Sequence, residues 1–214
     1  MPEKPRAIED ILKSVRPTPM VQNGLDCDAR IAQITEKFRD IMQILGLDLE
    51  NDSLKETPAR VAKMYVNELF SGLWDHNFPK ITAIENDMKY DQMIVAKQVS
   101  VMSVCEHHFV TIDGFATIGY IPNKRVIGLS KLNRIARFFA RRPQVQERLT
   151  KQIADCLAAI LETENVAVHL VAKHYCLVSR GVEDTNSVTV TSDLRGDFKR
   201  KAETRMEFLK HCQN

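Results

Sequence analysis

Residues 93–121 read MIVAKQVSVMSVCEHHFVTIDGFATIGYI. Met93–Val104 is rich in Val, Ile and Met, and Phe109–Ile121 carries β-branched and aromatic residues around Asp113-Gly114. Both segments read as strands, with a hairpin as the simplest connection between them. Cys105-Glu106-His107-His108 then falls in the connection, where a rigid scaffold presents side chains. Cys105 and His108 are three positions apart, so one local bend aims both at one ion. Further along, His174-Tyr175-Cys176 offers a second pair of soft donors. Positions 174 and 176 are two apart and would share one face of an extended strand.

Helical spacing lies on both sides of this region. Ile31, Ile34, Phe38, Ile41 and Leu45 recur at steps of three and four and stop at Gly46. Thr57-Pro58 announces a second helix as cap and first position, followed by Val61, Met64, Tyr65, Leu69 and Phe70. Residues 130–141 and 143–162 read as two more helices, the second opened by Pro143. Asn165–Lys173 and Ser187–Leu194 read as strands, and Lys199–Cys212 as a charged terminal helix. Paired strands with helices between them predict an α+β fold and not a regular βαβ alternation. Residues 1–24, with Pro2, Pro5, Pro17, Pro19 and Gly24, read as a mobile N-terminal arm. Residues 25–90 form a helical N-terminal region, and 91–214 form the core that carries the site.

The 214 residues are 44% hydrophobic and 27% charged, enough apolar material for a sizeable core. The formal net charge is +2, from 30 basic and 28 acidic residues, which argues against a nucleic-acid partner. Met1–Arg16 has no uninterrupted apolar run, and no stretch approaches the ~18 apolar residues of a membrane span. The expectation is therefore a cytoplasmic protein with no membrane partner. Its five cysteines (27, 105, 156, 176, 212) are odd in number and irregularly spaced, which favours metal binding or burial over a disulfide framework.

Cys105, His108 and Cys176 make an S₂N donor set suited to zinc. Three donors leave a position open for water; the alternative is a closed four-donor site completed by His174 or Cys156. Cys156 follows Leu149 and Ile153 on a helical stripe and reads as core. Cys27 and Cys212 lie near the ends and receive no role. His107 and His174 are placed for proton transfer near neutral pH, or else for propping and packing. Lys131 and Arg134, at i and i+3 beside a helix start, suit a phosphate chain, and Arg180 is placed to join them. Each of these cations taken alone is also an ordinary solvated charge. Glu147, beside Gln146, has a carboxylate that matches the two adjacent donors of guanine's Watson–Crick edge, or is simply an exposed helix-surface residue.

Several of these segments together resemble GTP cyclohydrolase I. They are Ser103-Val104-Cys105-Glu106-His107-His108-Phe109, Ile127-Gly128-Leu129-Ser130-Lys131-Leu132-Asn133-Arg134, Arg142-Pro143-Gln144-Val145-Gln146-Glu147-Arg148-Leu149-Thr150, His174-Tyr175-Cys176 and Ser179-Arg180-Gly181-Val182. The resemblance runs from about Asp28 to the C-terminus and is densest over 99–198.

It implies hydrolysis of GTP at C8 of guanine, giving formate and 7,8-dihydroneopterin triphosphate, the first step toward folate or other pterins. It implies Zn²⁺ on Cys105, His108 and Cys176. His107, His174 and Ser130 would be catalytic, and Glu147, Gln146, Lys131, Arg134, Arg180 and Leu129 would bind substrate. It also implies the tunnelling fold, an antiparallel sheet with two helices on one face, here preceded by an N-terminal helical extension. The assembly it implies is a homodecamer of two pentamers, with active sites across subunit contacts. Two other readings remain at this point: a sibling enzyme of the same fold acting on another purine- or pterin-like substrate, and a zinc-stabilised module without activity.

Overall fold

The structure, a computed structural model, describes residues 8–213. The N-terminal part is helical. Helix α1 (Ile8–Ser14) is followed by α2 (Cys27–Ile44), capped by the Asp26 carboxylate, which accepts from the Ala29 amide at 2.8 Å. Helix α2 ends at Gly46, whose φ of +76° turns the chain out of the helix. Helix α3 (Thr57–Lys63), with Pro58 in its first turn, runs into a π-helical turn, Met64–Leu69.

The core is a five-stranded sheet in the order β5-β2-β3-β6-β7, made of β2 (Ile94–Cys105), β3 (Thr111–Tyr120), β5 (Pro143–Gln144), β6 (Val166–His174) and β7 (Thr189–Leu194). All pairings are antiparallel except β2 with β5. Two short strands, β1 (Ala83–Glu85) and β4 (Arg125–Ile127), pair separately. Helices α4 (Leu129–Ala140) and α5 (Gln146–Leu161) pack on one face. Leu132, Ile135, Phe139, Leu149, Ile153 and Leu157 of these helices close one core with Val101, Ile118 and Leu170 of the strands. Full burial of each such side chain contributes about 1.5–3 kcal/mol. The fold is therefore α+β, as the paired-strand pattern predicts. Among the described residues no helix is long and apolar enough to cross a membrane.

A bulge in β2 decides which way the site faces. The β2–β3 register shifts between Ala96 and Val99, and Gln98 lies in the left-handed region at φ +54°. Before the shift Ile94 and Ala96 stand opposite Tyr120 and Ile118; after it Val99, Val101 and Ser103 stand opposite Ala116, Gly114 and Ile112. The inserted residue flips the parity, so odd-numbered positions, Cys105 included, point to the helix-covered face. Gly114, although part of an Asp-Gly pair, lies inside β3 and not in a turn. A Cβ there would come within 2.1 Å of the Val171 carbonyl oxygen of β6.

Three expectations change. Pro143 does not open a helix: with Gln144 it forms β5 beside Val104 and Cys105, and α5 begins at Gln146. Proline lacks an N–H and is suited to this sheet edge, while the Gln144 carbonyl accepts from Glu106 N at 3.0 Å. The terminal helix is divided into α7 (Asp197–Arg200) and α8 (Ala202–Cys212) at the extended Lys201. Phe198 and Phe208 of these helices pack under the opposite face of the sheet. Within the span read as an N-terminal arm, Ile11 and Val15 are buried in the main core. The Arg16 amide donates to Asp155 of α5 at 3.1 Å. Residues 1–7 of that span lie outside the described residues.

Candidate metal centre and active site

Cys105 is the last residue of β2, and residues 106–108 form the turn that follows. Phe109 closes the turn in the left-handed region, at φ +53°, with its amide donating to the Cys105 carbonyl at 2.9 Å. Such a conformation costs a non-glycine residue roughly 1–3 kcal/mol and persists where packing enforces it. Here the Phe109 ring meets Phe70 at 5.2 Å and Tyr65 at 6.1 Å between centroids. The helical region thus braces the turn from outside.

His174 is the last residue of β6, opposite Ile112. Cys176 is not on that strand: Tyr175–Val178 is a single helical turn, α6, which brings the Cys176 thiol back over the sheet. The same-face argument for 174 and 176 therefore does not apply, although both residues reach the site. The donor atoms of Cys105, His108 and Cys176 all lie within 4.8 Å of one another. Both cysteines are buried against Ile112, Ala172 and Val110, and His108 is exposed. Burial, and then the adjacent Cys105 thiol, push the Cys176 thiol above its usual range. A Cys176 thiol raised in this way ionises readily only against a cation. This donor set fits a zinc-type ion bonded at ~2.3 Å to sulfur and ~2.0 Å to nitrogen. Cys156, buried in the main core, does not belong to the cluster, nor does His174.

His174 is held elsewhere. Its Nε2 is 2.7 Å from Gln146 Oε1. The Gln146 amide nitrogen donates to the carbonyls of Leu170 (3.1 Å) and Thr189 (2.9 Å) and to Thr191 Oγ1 (3.2 Å). Those acceptors fix which way the amide points, so its oxygen faces His174 and the proton sits on Nε2, leaving Nδ1 as the acceptor. Burial lowers the His174 pKa, opposed by the Glu147 carboxylate. Gln146 is 1% exposed and its donors are taken. In this arrangement it orients His174. Glu147, in contrast, is exposed in the first turn of α5. His107 is exposed, its Nδ1 3.6 Å from Cys105 Sγ. Arg180 places Nη1 2.6 Å from His108 Nε2, so one guanidinium stands at the mouth of the cluster.

The remaining site residues stand apart. Leu129, Ser130, Lys131 and Arg134 lie in the first half of α4. That helix ends at Ala140, whose carbonyl accepts from Ser103 Oγ at 2.7 Å, near the metal turn. Leu129 is roughly 16 Å further along the axis, at 1.5 Å per residue. Lys131 Nζ turns to the Lys80 carbonyl at 3.0 Å. Arg134 lines a separate crevice of about 170 Å³ with Ser71, Asn77, Pro79, Arg137 and Arg141. One chain thus brings together the metal donors, His107, His174, Glu147 and Arg180, but leaves the α4 cations away from them. Sequence reading also missed the ion pair between Glu106 of the turn and Arg148 of α5. No spacing rule links positions 42 apart.

A family model described as GTP cyclohydrolase I matches residues 34–213. A protein of Shewanella loihica named GTP cyclohydrolase 1 is 57% identical over 192 residues, covering 90% of each chain. One of the same name from Edwardsiella ictaluri is 57% identical over 193 residues, 90% of this chain and 88% of its own. Another of that name, from Pasteurella multocida, is 53% identical over 208 residues, 97% of this chain and 95% of its own.

Proposed function

The chain belongs to the GTP cyclohydrolase I family of enzymes, and we propose from this premise that it converts GTP and water to formate and 7,8-dihydroneopterin triphosphate. The reaction opens the guanine imidazole ring at C8, as a first step of folate or pterin synthesis in the cytoplasm. The observation that carries the reading is the convergence of Cys105, His108 and Cys176 within 4.8 Å, beside an oriented His174. Zinc in such a three-donor site supplies Lewis acidity that makes water a competent nucleophile near neutral pH.

The chain's own residues do the rest. Glu147, exposed at the start of α5, accepts the guanine N1–H and 2-amino donors and fixes the ring over the cluster. His107, beside Cys105, protonates the imidazole nitrogen from which C8 departs. His174 carries its proton on Nε2 toward Gln146 and has Nδ1 free, so it takes and returns protons during ribose opening. Arg180 holds phosphate from the metal side. Lys131 and Arg134 hold the rest of the triphosphate, with Leu129 against the nucleotide and Ser130 serving the later rearrangement. Because α4 keeps these four residues at a distance from the cluster of its own chain, they act on the site of a neighbouring copy. This supports a homo-oligomer, in this reading a decamer of two pentamers built on a tunnelling-fold sheet with α4 and α5 on one face.

The test is formate release from GTP with zinc content measured on the same sample. Wild-type protein releases formate and a pterin that fluoresces after oxidation, whereas Cys105→Ser and Cys176→Ser lose both zinc and activity. Zinc-replete protein that binds GTP yet releases neither product would overturn the reading. Competition by GTP but not by guanosine separates it from a sibling activity that needs no triphosphate.

A further inference from the structure

We propose that the Cys105–His108 turn is positioned from behind by a buried hydrogen-bonded chain, Glu106–Arg148–Gln144–Gln152. Its far end is closed by Arg16 and Thr18 of the N-terminal segment, so the hold on the metal depends on where that segment lies. The inference rests on the metal reading of Cys105, His108 and Cys176.

Every link runs in one direction. The Arg148 guanidinium pairs with the Glu106 carboxylate through Nη2 and donates through Nε to Gln144 Oε1 at 3.1 Å. Arginine has donors only, so the Gln144 oxygen must face it and the Gln144 amide nitrogen must face away. That nitrogen donates to Gln152 Oε1 at 2.7 Å and to the Phe139 carbonyl at 2.8 Å. Gln152 is oriented in turn, and its nitrogen donates to the Arg16 carbonyl at 2.8 Å and Thr18 Oγ1 at 3.2 Å. Thr18 Oγ1 also accepts from Arg142 Nη1 at 3.1 Å.

The two glutamines are fully buried and Arg148 nearly so. Neither amide can reverse without leaving a buried donor facing a donor, which costs more than any single bond in the chain contributes. The near end is tied to the turn twice, through the Glu106 side chain and through Glu106 N, which donates to the Gln144 carbonyl at 3.0 Å. The far end is tied to the segment whose Ile11 and Val15 enter the main core. Glu106, Arg148, Gln144 and Gln152 touch no donor atom of the cluster; they are positioning residues.

Transfer of Zn²⁺ from the full-length, zinc-loaded protein to a chromophoric chelator tests this, alongside the visible spectrum of the Co²⁺-substituted protein. Glu106→Gln keeps the shape and removes the charge that holds Arg148. It should speed zinc transfer about 10-fold or more, the usual effect of losing an outer support of a metal site. Gln152→Met keeps the volume and removes the donors to the N-terminal segment. It should speed transfer about 3- to 10-fold and shift the Co²⁺ spectrum, as expected of a coupling carried through a packed network. Thr18→Val, which keeps the shape and removes the hydroxyl acceptor, should act in the same direction.

The double variant Glu106→Gln/Gln152→Met should be no faster than Glu106→Gln alone, because both break one chain. Wild-type rates and an unchanged spectrum in both Gln152→Met and Thr18→Val overturn the inference, as do effects that multiply in the double variant. Wild-type protein that takes up no zinc overturns the metal reading and this inference with it. Zinc-binding wild type with unaffected variants overturns this inference alone.

Discussion

If the α4 cations serve a neighbour's metal site, two inactive variants should repair each other. Cys105→Ser removes the metal half and leaves α4 intact; Lys131→Ala/Arg134→Ala removes the α4 half and leaves the donors intact. The geometry behind this is the length of α4. Its C-terminal Ala140 is tied to Ser103 by a 2.7 Å hydrogen bond, two residues before Cys105. Along the axis, at about 1.5 Å per residue, Arg134 lies about 9 Å and Lys131 about 13.5 Å from Ala140. Arg180 stands against His108, whereas Lys131 Nζ turns to the Lys80 carbonyl and Arg134 lines the crevice with Ser71 and Arg137. In a closed ring with one metal half and one α4 half at each contact, random mixing of the variants gives each contact an intact pair with a chance of about one quarter. Co-expressed chains carrying different tags, purified through both, should therefore recover about 25% of wild-type formate release, while each variant alone stays near background. Mixed assemblies no more active than the two parents would refute the shared site. They would require the α4 cations to reach their own chain's cluster.

Gly114→Ala places a methyl group against the Val171 carbonyl, 2.1 Å away, in the middle of the β3–β6 ladder. It should destabilise the protein by about 3 kcal/mol or more, read as a lowered denaturant midpoint. Gln146→Leu leaves the Leu170 and Thr189 carbonyls without their amide donor, at a cost of about 1–3 kcal/mol, and frees His174 to turn. Its kcat should fall with KM for GTP little changed, and a proportionate rise in KM would instead make Gln146 a ligand contact. Burial lowers the His169 pKa below its ordinary 6.5, so the unfolded chain binds this proton more readily than the fold does. The corresponding stability is complete above pH 6.5 and declines as pH falls below it. Metal-free His169→Gln should lose less stability between pH 8 and pH 5 than metal-free wild type, and identical losses would count against this account.

The metal donors were legible because their chemistry is rare. A Cys and a His three positions apart, answered by a distant Cys, have few uses in a chain without a disulfide pattern. Cys156 was equally readable as core from its place on a helical stripe. What could not be read was direction. The Lys97-Gln98 bulge rotates Cys105 onto the helix-covered face, yet Met102, an exposed residue, and Ser103, a buried one, both contradict a simple hydrophobic alternation. Pro143 carried a helix-start signal, but residues 143–144 pair with Val104 and Cys105 as a strand, the Gln144 carbonyl accepting from Glu106 N. Lys131 and Arg134 carried cationic chemistry suited to a phosphate chain, whereas their place relative to the cluster is set by the length of α4 and by strand order, which no local pattern encodes.

That only Cys105, His108 and Cys176 converge, among the described residues, also comes from tertiary structure. The spacing allowed His174 or Cys156 as a fourth donor, which would make the centre a staple and not a reactive site. Cys156 is excluded by the packing of α5, which carries it into the main core. His174 has no such barrier: it closes the strand adjacent to the cluster and is two residues from Cys176. What withholds it is Gln146, whose oxygen engages Nε2 and whose orientation is enforced by acceptors on β6 and β7. The same contact leaves Nδ1 as the imidazole's acceptor; separately, burial lowers the His174 pKa against the opposing Glu147 carboxylate. A single buried amide, unremarkable in sequence, thus holds His174 away from the Cys105–His108–Cys176 cluster and leaves that cluster with three protein donors among the described residues.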